Sequence, residues 1–411
     1  MKLVEKHRIK SSNKFYKLLK EFCVKSKLLY NHANYIVRKR FIEDKYWVRY
    51  NELDKLLRYD TQYPDFRNMP TTKCSQQVLR LLDKNWKSFF VAIKDWEQNP
   101  HKYLGRPKLP QYKQTTNILI VTNQECKIKG DILTFPKSFK GFTLHPSFIY
   151  NKYTKLCQIR FIPKLREIIA EIVYEIDDVN PLEDNSNYMG IDLGVNNLAT
   201  CVSNVNSPEI INGKPLKAIN QFYNKRRAYL QSRLPKNKKS SKCIHNLTSK
   251  RNRQMEDYLH KSSKHIVTQC KEKAIHTIVI GKNDGWKQNT NMSKKVNQNF
   301  VSIPFNRLIQ MIEYKAKKIG ITVIQTEESY TSGTSFLDNE PPTKEFYNKK
   351  RRIHRGLFKS NKGIIINADV NGAYQIMKKV FPNIIMDGIE GVGLHPILWN
   401  PFKMNKFCQN S

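Results

Sequence analysis

The chain has 411 residues, enough for two or three domains, and a formal net charge of +37 from 72 Lys and Arg against 35 Asp and Glu. This surplus predicts a polyanionic partner, and the 20 Tyr, 20 Phe and five Trp predict stacking on single-stranded nucleic acid. A mean hydropathy of −0.61, without an apolar run of about 20 residues or an apolar N-terminal signal, excludes a membrane-spanning protein and predicts an intracellular one.

The N-terminal half is predicted to combine helices with closely spaced short strands. A strand at Leu3–Ile9 precedes the segment Asn13–Glu97, in which apolar residues recur every three or four positions, as in helices. The Pro- and Lys-rich segment Asn99–Lys113 marks a boundary loop and a candidate phosphate contact. The short strands that follow are Asn117–Thr122, Ile132–Phe135, Phe142–Pro146, Leu156–Pro163 and Ile168–Ile176. Their close spacing predicts a small β-barrel.

The C-terminal half alternates strands and helices, a pattern typical of a layered α/β domain. After the acidic linker Asp177–Asn187, the apolar run Met189–Thr200 predicts a strand–turn–strand hairpin with Asp192 on its first strand. The remaining predicted elements are a helical hairpin over 221–275, a buried strand Thr277–Ile280, a helix Pro304–Ile319, a strand Ile321–Ile324 and a final helical segment Ala373–Met377.

Asp192 and Asp369 are the most informative residues, because each carboxylate lies in an apolar run of a strongly basic chain. Taken alone, either residue is more often a turn or capping aspartate. Carboxylates from a strand and from a distant helix can nevertheless converge on hard cations, which prefer oxygen ligands. The pair therefore predicts a divalent metal site.

The eight cysteines are scattered and include no Cys-x-x-Cys pair. We expect them to be small core residues without disulfides or zinc-knuckle chemistry.

Five motifs in one order resemble the TnpB family, the transposon-encoded RNA-guided nucleases related to compact type V CRISPR effectors. The motifs are Gly190-Ile-Asp-Leu-Gly194, Lys250-Arg-Asn-Arg253, Ile278-Val-Ile280, Glu328-Ser-Tyr-Thr-Ser332 and Asn367-Ala-Asp-Val-Asn-Gly372. The run Gly105–Tyr112 extends the resemblance to the N-terminal half. The resemblance implies a guide RNA made from the transposon end and cleavage of guide-paired double-stranded DNA beside a short adjacent motif. It also implies contact with the displaced single strand and a nucleoid-associated state on DNA.

The resemblance also implies a multidomain α+β architecture with five parts. These are a wedge-type β-barrel (1–10 and 99–180), a helical recognition domain (11–98), an RNase H-like RuvC nuclease domain (186–328 and 364–385), a target-nucleic-acid-binding insert without zinc ligands (329–363) and a C-terminal tail (386–411).

By this resemblance, Asp192 takes the first acidic position of the RuvC domain and Asp369 takes the last. The usual middle Glu falls on Gly281. A sub-branch of the family instead carries a Glu before Ser-Tyr-Thr-Ser, which here is Glu328, at the end of the neighbouring strand. We favour Glu328 as the third metal ligand.

Glu327 and Asp284 are the alternatives to Glu328. Because side chains alternate along a strand, Glu327 and Glu328 should face opposite ways, so that only one of them can be a ligand.

The insert departs from the family at its four zinc-ligand positions, which fall on Ser335, Asp338, Lys359 and Lys362. None of these is a thiolate and two are cations, so we expect no zinc. The side chains expected to hold the insert by packing are Phe336, Leu337, Phe346, Tyr347, Leu357 and Phe358. The basic run Lys349–Arg352, with Arg355, is predicted to guide substrate to the site.

Hydrolysis at such a site needs no covalent protein nucleophile. Two Mg²⁺ or Mn²⁺ ions about 4 Å apart can activate water and stabilise the leaving 3′ oxygen. Asp192 is expected to bridge both ions, with Glu328 and Asp369 each completing one coordination sphere. His260 and His265 are expected to pack or to face RNA rather than to act as bases.

Two alternatives remain open. One is a nuclease-inactive, RNA-guided DNA-binding regulator of the same family, which the loss of the usual Glu at Gly281 favours and the retention of Asp192 and Asp369 disfavours. The other is a transposase or transposase accessory protein, although no separate catalytic Tyr or Ser motif supports it.

Overall fold

The computed structural model describes residues 1–148, 153–283, 294–354, 356–384 and 395–402. The chain is a mixed α/β protein with two compact units, Met1–Asp177 and Asp178–Ser411. None of the described helices combines the length and the apolar character needed to cross a membrane.

The described part of the N-terminal unit contains seven strands and three α-helices. In chain order they are β1 (Lys2–Lys10), α1 (Tyr16–Asp44), α2 (Tyr50–Arg58), α3 (Thr72–Gln98), β2 (Leu119–Thr122), β3 (Lys127–Lys129), β4 (Ile132–Thr134), β5 (Thr143–Leu144), β6 (Thr154–Pro163) and β7 (Glu167–Ile176).

The strands of this unit form two antiparallel sheets. The larger has the order β1-β7-β6-β2, and the smaller joins β3, β4 and β5. Alternate residues of β6, among them Ile159 and Phe161, are fully buried, as expected for a sheet with one face on a core. The predicted strands are therefore present. Over the described ranges, however, β1 and β2 end the larger sheet without pairing to each other, so no ladder closes the predicted barrel.

The predicted helical segment Asn13–Glu97 forms α1, α2 and α3. Thr71 caps the N-terminus of α3 by accepting a hydrogen bond from the amide of Cys74 at 3.1 Å. The fully buried Trp86 donates its Nε1 hydrogen to Asn34 Oδ1 at 3.1 Å. This bond satisfies two buried polar groups and ties α3 to α1.

The described part of the C-terminal unit contains eight strands and five α-helices. They are β8 (Tyr188–Leu193), β9 (Asn197–Ser203), β10 (Glu209–Asn212), α4 (Lys214–Ser232), α5 (Lys242–Glu272), β11 (Thr277–Gly281), α6 (Lys294–Ser302), α7 (Phe305–Lys317), β12 (Thr322–Thr326), β13 (Leu357–Lys359), β14 (Ile365–Asn367), α8 (Ala368–Val380) and β15 (Ile397–Trp399).

Six of these strands form one mixed sheet in the order β12-β11-β8-β9-β10-β15. The predicted hairpin is β8 and β9, which pair antiparallel with Asp192 opposite Thr200. The predicted strands Thr277–Ile280 and Ile321–Ile324 correspond to β11 and β12, which pair in parallel with each other, and β11 also pairs in parallel with β8. The predicted helical hairpin is α4 and α5, with α4 beginning earlier, at Lys214.

Helices cover the two faces of β8. Met189, Ile191 and Leu193 share a buried core with residues of α5 and α7. Because side chains alternate, Gly190 and Asp192 point to the opposite face, towards α8. A Cβ on Gly190 would lie 2.5 Å from the carbonyl oxygen of Ala373 and 2.9 Å from Met377 Cβ, so α8 can approach β8 this closely only over a glycine.

Seven of the cysteines lie in the described residues, and all seven are free thiols. Five of them are buried, as expected for small core residues: Cys23, Cys74, Cys126, Cys201 and Cys270. Cys243 is exposed, which the composition did not predict.

Candidate functional site

The close packing of α8 on β8 brings Asp192 and Asp369 together. Asp192 lies two residues beyond Gly190 on the same face of β8, and α8 begins next to it. A Cβ on Gly372 would lie only 3.0 Å from Asp192 Oδ2, so glycine at this position leaves room for the carboxylate. The strand and the distant helix that carry the two predicted aspartates therefore meet at one point.

Asp369 lies in the first turn of α8, where the helix macrodipole favours a negative charge. Asn367 caps the helix, because its Oδ1 accepts hydrogen bonds from the amides of Asp369 at 2.9 Å and Val370 at 3.3 Å. The Asp369 carboxylate accepts a hydrogen bond from Asn197 Nδ2 at 2.7 Å and pairs with Arg352 Nη2 at 3.3 Å. The cap fixes the backbone, and the two side chains orient the carboxylate.

Glu328 follows the end of β12, two residues beyond the Gly281–Thr326 pair of the parallel ladder. Asn283 clamps it at both ends: Asn283 Nδ2 donates to Glu328 Oε1, and Asn283 Oδ1 accepts from the Glu328 amide, each at 3.0 Å. A Cβ on Gly281 would lie 3.2 Å from Glu328 Oε2 and 2.5 Å from Ile376 Cδ1. The Glu328 carboxylate thus occupies the space over Gly281.

The two alternatives to Glu328 have different outcomes. Glu327 points away, with 62% of its side chain exposed and Lys379 Nζ 3.4 Å from its carboxylate. Both residues follow the end of β12 at Thr326, so the alternation expected along a strand does not apply to them directly. Asp284 lies outside the described residues.

The surroundings of Asp192 and Glu328 oppose the ionisation of these two carboxylates. Burial, followed by the charges of Asp369 and Glu328, raises the pKa of Asp192 well above its usual value, and Arg352 opposes this shift. Burial also raises the pKa of Glu328, against the effect of Lys379. We call Asp192, Glu328 and Asp369 the acidic centre. Its mutual repulsion would be relieved by a proton or a cation.

The acidic centre lines a cleft of about 1770 Å³. Polar amides and cations share the lining, among them Asn197, Asn283, Asn299, Lys214, Lys217 and Arg352. In the described ranges, no three His, Cys, Asp or Glu side chains are close enough to hold one metal ion. Glu328 is held by Asn283 and Asp369 by Asn197, so the three carboxylates face the same cleft without closing around one point.

Of the insert positions assigned to zinc ligands, Asp338 and Lys362 lie in turns and Lys359 ends β13. Ser335 is fully buried, whereas Lys359 and Lys362 are exposed. The predicted packing is correct for Phe336, which stacks on Tyr374 with ring centroids 4.8 Å apart, and for the fully buried Phe358. It is wrong for Phe346, which stays 39% exposed. Of the basic run, Arg352 reaches Asp369, and Arg355 lies outside the described residues.

The two histidines lie away from the acidic centre. His265 Nε2 is 2.7 Å from Glu209 Oε1, and its ring stacks on Trp399 at 4.0 Å. The carbonyl oxygen of His260 accepts a hydrogen bond from Lys315 Nζ at 2.8 Å. The structure therefore gives His265 the packing role that the sequence predicts.

Asn197 and Asn283 are site residues that the sequence reasoning did not single out. Asn197 is the first residue of β9, three residues beyond Gly194, and Asn283 lies two residues beyond Gly281. Their proximity to the motif glycines was the available signal, but turn asparagines usually serve their own backbone.

Two family models match segments of the chain between residues 171 and 376. One, described as a probable transposase (OrfB_IS605), matches residues 171–287, and the other, the Cas12f1-like TNB domain, matches residues 305–376. The first range contains Asp192, and the second contains Glu328 and Asp369. The TnpB-like protein ORF457 of Acidianus two-tailed virus is 22% identical over 391 residues, covering 85% of this chain and 80% of that protein. These matches support the resemblance to the TnpB family.

Solved structures give weaker similarities. A Cas12f1–sgRNA–target DNA complex aligns at 16% identity with a TM-score of 0.38, over 91% of this chain and 98% of that chain. A CRISPR-Cas12f ternary complex aligns at 15% identity and a TM-score of 0.37, over 88% and 81%. Alicyclobacillus acidoterrestris C2c1 with single-guide RNA aligns at 8% identity and a TM-score of 0.39, over 90% and 67%. Similarities this weak do not establish a shared architecture.

Proposed function

We propose that the protein is an RNA-guided DNA endonuclease that hydrolyses target DNA at the acidic centre. The observation that carries the proposal is the meeting of three distant carboxylates, from β8, from the end of β12 and from the first turn of α8, in one cleft. The raised pKa of Asp192 shows that the site opposes its own negative charge. Such electrostatic conflict is typical of sites that bind a cation or perform proton chemistry.

Divalent metal fits the donor set, because carboxylate oxygens are the ligands that Mg²⁺ and Mn²⁺ prefer. Asp192, Glu328 and Asp369 would hold two such ions, which when bound activate water and stabilise the leaving 3′ oxygen. Asn283 and Asn197 hold the Glu328 and Asp369 carboxylates in the cleft through hydrogen bonds of 3.0 and 2.7 Å. These amides restrict the two ligands before any cation arrives.

The rest of the cleft suits a nucleic-acid backbone. Lys214, Lys217 and Arg352 supply positive charge at its lining, and the Asn and Ser side chains offer hydrogen bonds to phosphate and sugar oxygens. Its volume is large enough to admit a single strand. In this proposal the cations draw the scissile phosphate towards the acidic centre.

The guide RNA and the DNA target are proposed from the resemblance to the TnpB family and from the charge of +37. In the same proposal, residues 1–10 and 99–180 form the wedge, 11–98 the recognition domain, 186–328 with 364–385 the RuvC nuclease domain, 329–363 the target-nucleic-acid-binding insert and 386–411 the tail. The two sheets of the N-terminal unit and its three helices are the elements that would contact the guide.

The test is cleavage of a plasmid library by protein purified with the flanking transposon-end RNA. We expect double-strand breaks beside one short motif that need both Mg²⁺ and a matched guide. Target binding without cleavage would instead indicate the nuclease-inactive regulator, and strand-transfer products would indicate a transposase role. Either result would overturn the proposal.

A further inference from the structure

One face of α8 holds the beginning of the insert through buried polar side chains. Asn371, Gln375 and Lys378 are spaced by four and three residues, which places them on one side of the helix. The bonds are Asn371 Nδ2 to Thr334 O at 2.8 Å, Phe336 N to Asn371 Oδ1 at 3.0 Å, Gln375 Nε2 to Glu340 O at 3.2 Å and Lys378 Nζ to Asn339 O at 2.8 Å. The helix that starts at Asp369 therefore also determines the path of residues 334–340.

Glu340 is the centre of a second set of contacts within the insert. Glu340 is only 7% exposed, and its carboxylate accepts hydrogen bonds from Ser335 N at 2.8 Å and Asn361 Nδ2 at 3.0 Å. Both guanidinium Nη atoms of Arg351 also donate to it, Nη2 to Oε1 at 2.8 Å. Arg351 Nη2 donates further to Asn361 Oδ1 at 2.7 Å. We call Ser335, Glu340, Arg351 and Asn361 the insert cluster.

The insert cluster joins the two turns in which the resemblance places zinc ligands. The Asp338 amide donates to Ser335 Oγ at 3.2 Å within the first turn. The Asn361 amide in the second turn donates to Asp338 Oδ2 at 2.7 Å. Together with the Glu340–Asn361 bond, this contact links the turns directly. The link is made by side chains of this chain rather than by a metal.

The insert cluster is connected to the acidic centre by the peptide bond between Arg351 and Arg352. Arg351 is anchored on Glu340, and the next residue, Arg352, extends to Asp369 Oδ1 at 3.3 Å. The residues after it, Ile353 and His354, are exposed, and His354 forms an isolated β-bridge with Leu357. A bidentate Arg–carboxylate pair fixes both position and orientation. The Glu340–Arg351 pair therefore fixes the backbone next to Arg352.

We infer that the buried Glu340–Arg351 pair is a positioning device that holds Arg352 against Asp369 in the cleft. Glu340 and Arg351 are positioning residues, since neither touches the acidic centre. The inference rests on the proposed nuclease activity for its functional consequence, and on the contacts above for its geometry. Arg352 places a positive charge in the cleft, beside the carboxylates that repel one another.

The experiment is a double-mutant cycle on the full guide RNA complex. We expect Glu340→Gln to slow single-turnover cleavage by about 10-fold or more while target binding is retained. If Glu340 acts through Arg352, Glu340→Gln should cause no further loss in an Arg352→Ala background. Glu345→Gln is the matched control, because it makes the same substitution at an exposed glutamate of the insert and leaves Glu340 and Arg351 intact. It should cleave within about twofold of the unmutated complex.

Two results would overturn the inference: normal cleavage by Glu340→Gln, or an equal loss with and without Arg352, which would indicate general disruption of the insert. If the unmutated complex binds its target but does not cut, the proposed function fails, and the inference is then judged by hydrogen exchange. Glu340→Gln must raise exchange across Lys349–His354 relative to Glu345→Gln. Unchanged exchange there would also overturn it.

Discussion

The acidic centre and the insert cluster both contain buried carboxylates, but their charges are balanced in opposite ways. At the acidic centre, burial and two neighbouring carboxylates raise the pKa of Asp192, with Arg352 in partial opposition. In the insert cluster, burial alone would raise the pKa of Glu340, but hydrogen bonds from Arg351 and Ser335 outweigh it and leave that pKa below its usual value. The charge of Glu340 is balanced by protein groups, whereas Arg352 offsets the repulsion at the acidic centre only in part.

This difference indicates where function lies. A buried carboxylate with a matched guanidinium and two amide donors serves the fold, because every one of its partners is protein. Carboxylates that repel one another across an open cleft oppose the fold and persist only if a ligand uses them. Substitutions that remove one charge at a time from either region test this difference.

The largest effect is expected at Glu328. Glu328→Gln removes one anionic oxygen ligand while preserving size, so cleavage should fall by at least ~100-fold, equivalent to about 3 kcal/mol of transition-state stabilisation. Asp192→Ala and Asp369→Ala should be as damaging. The measurement is single-turnover cleavage at saturating target, with RNA and target binding assayed in parallel.

Glu327→Gln is the matched control, since Glu327 is exposed and pairs only with Lys379 in the described contacts. It should cleave nearly normally. Normal cutting by Glu328→Gln together with loss of cutting by Glu327→Gln would show that the ligand is the neighbouring residue.

The next largest effect is on stability and belongs to the insert. Glu340→Gln leaves the Arg351 guanidinium buried without its carboxylate, and we expect a loss of about 2 kcal/mol in the free energy of unfolding. Urea denaturation monitored within the C-terminal unit would measure it. A variant as stable as the unmutated protein would mean that the pair contributes little net free energy.

The same substitution has a pH signature with a defined sign. Because the pKa of Glu340 is lowered on folding, its stabilising contribution is complete above its unfolded pKa, about 4.3, and is lost as pH falls through the lower folded value. The stability difference between the unmutated protein and Glu340→Gln should therefore be constant near neutral pH and narrow below about pH 4. A difference that grows on acidification would contradict the ion pair.

A smaller effect of opposite sign is expected at the acidic centre. Asp192→Asn removes a repelled charge, so the metal-free protein should not lose stability. Mg²⁺ should stabilise the unmutated protein by about 1.4 kcal/mol at tenfold excess over its Kd, and this stabilisation should be much reduced in the variant. Thermal unfolding with and without Mg²⁺ would decide. Equal Mg²⁺ stabilisation of both proteins would mean that the ions bind elsewhere.

No effect at all is expected from a zinc-selective chelator. The insert turns are linked by Asp338, Asn361 and the Glu340–Arg351 pair, so neither melting temperature nor cleavage should change. Elemental analysis that found stoichiometric zinc, with unfolding on its removal, would refute this.

Several elements were predictable because their signals are local. The hairpin at Asp192 follows from an apolar run interrupted by Gly194, and the strands Thr277–Ile280 and Ile321–Ile324 follow from apolar runs too short for helices. Whether the sheet closes into a barrel was not predictable in the same way, because closure depends on pairing between edge strands that are distant in sequence.

The sequence by itself determined which carboxylates to consider, the order β8, β9, α4, α5, β11, α7, β12 and α8, and the resemblance to the family, because motif residues and apolar periodicity are local properties of the chain. Only the tertiary structure decided that Glu328 lies over Gly281, that Asn283 and Asn197 hold the acidic centre, and that Glu340 pairs with Arg351. These contacts join residues up to 172 positions apart, and their geometry depends on how closely α8 packs against β8. Packing of this kind is a property of all the surrounding side chains at once, so no local pattern encodes it.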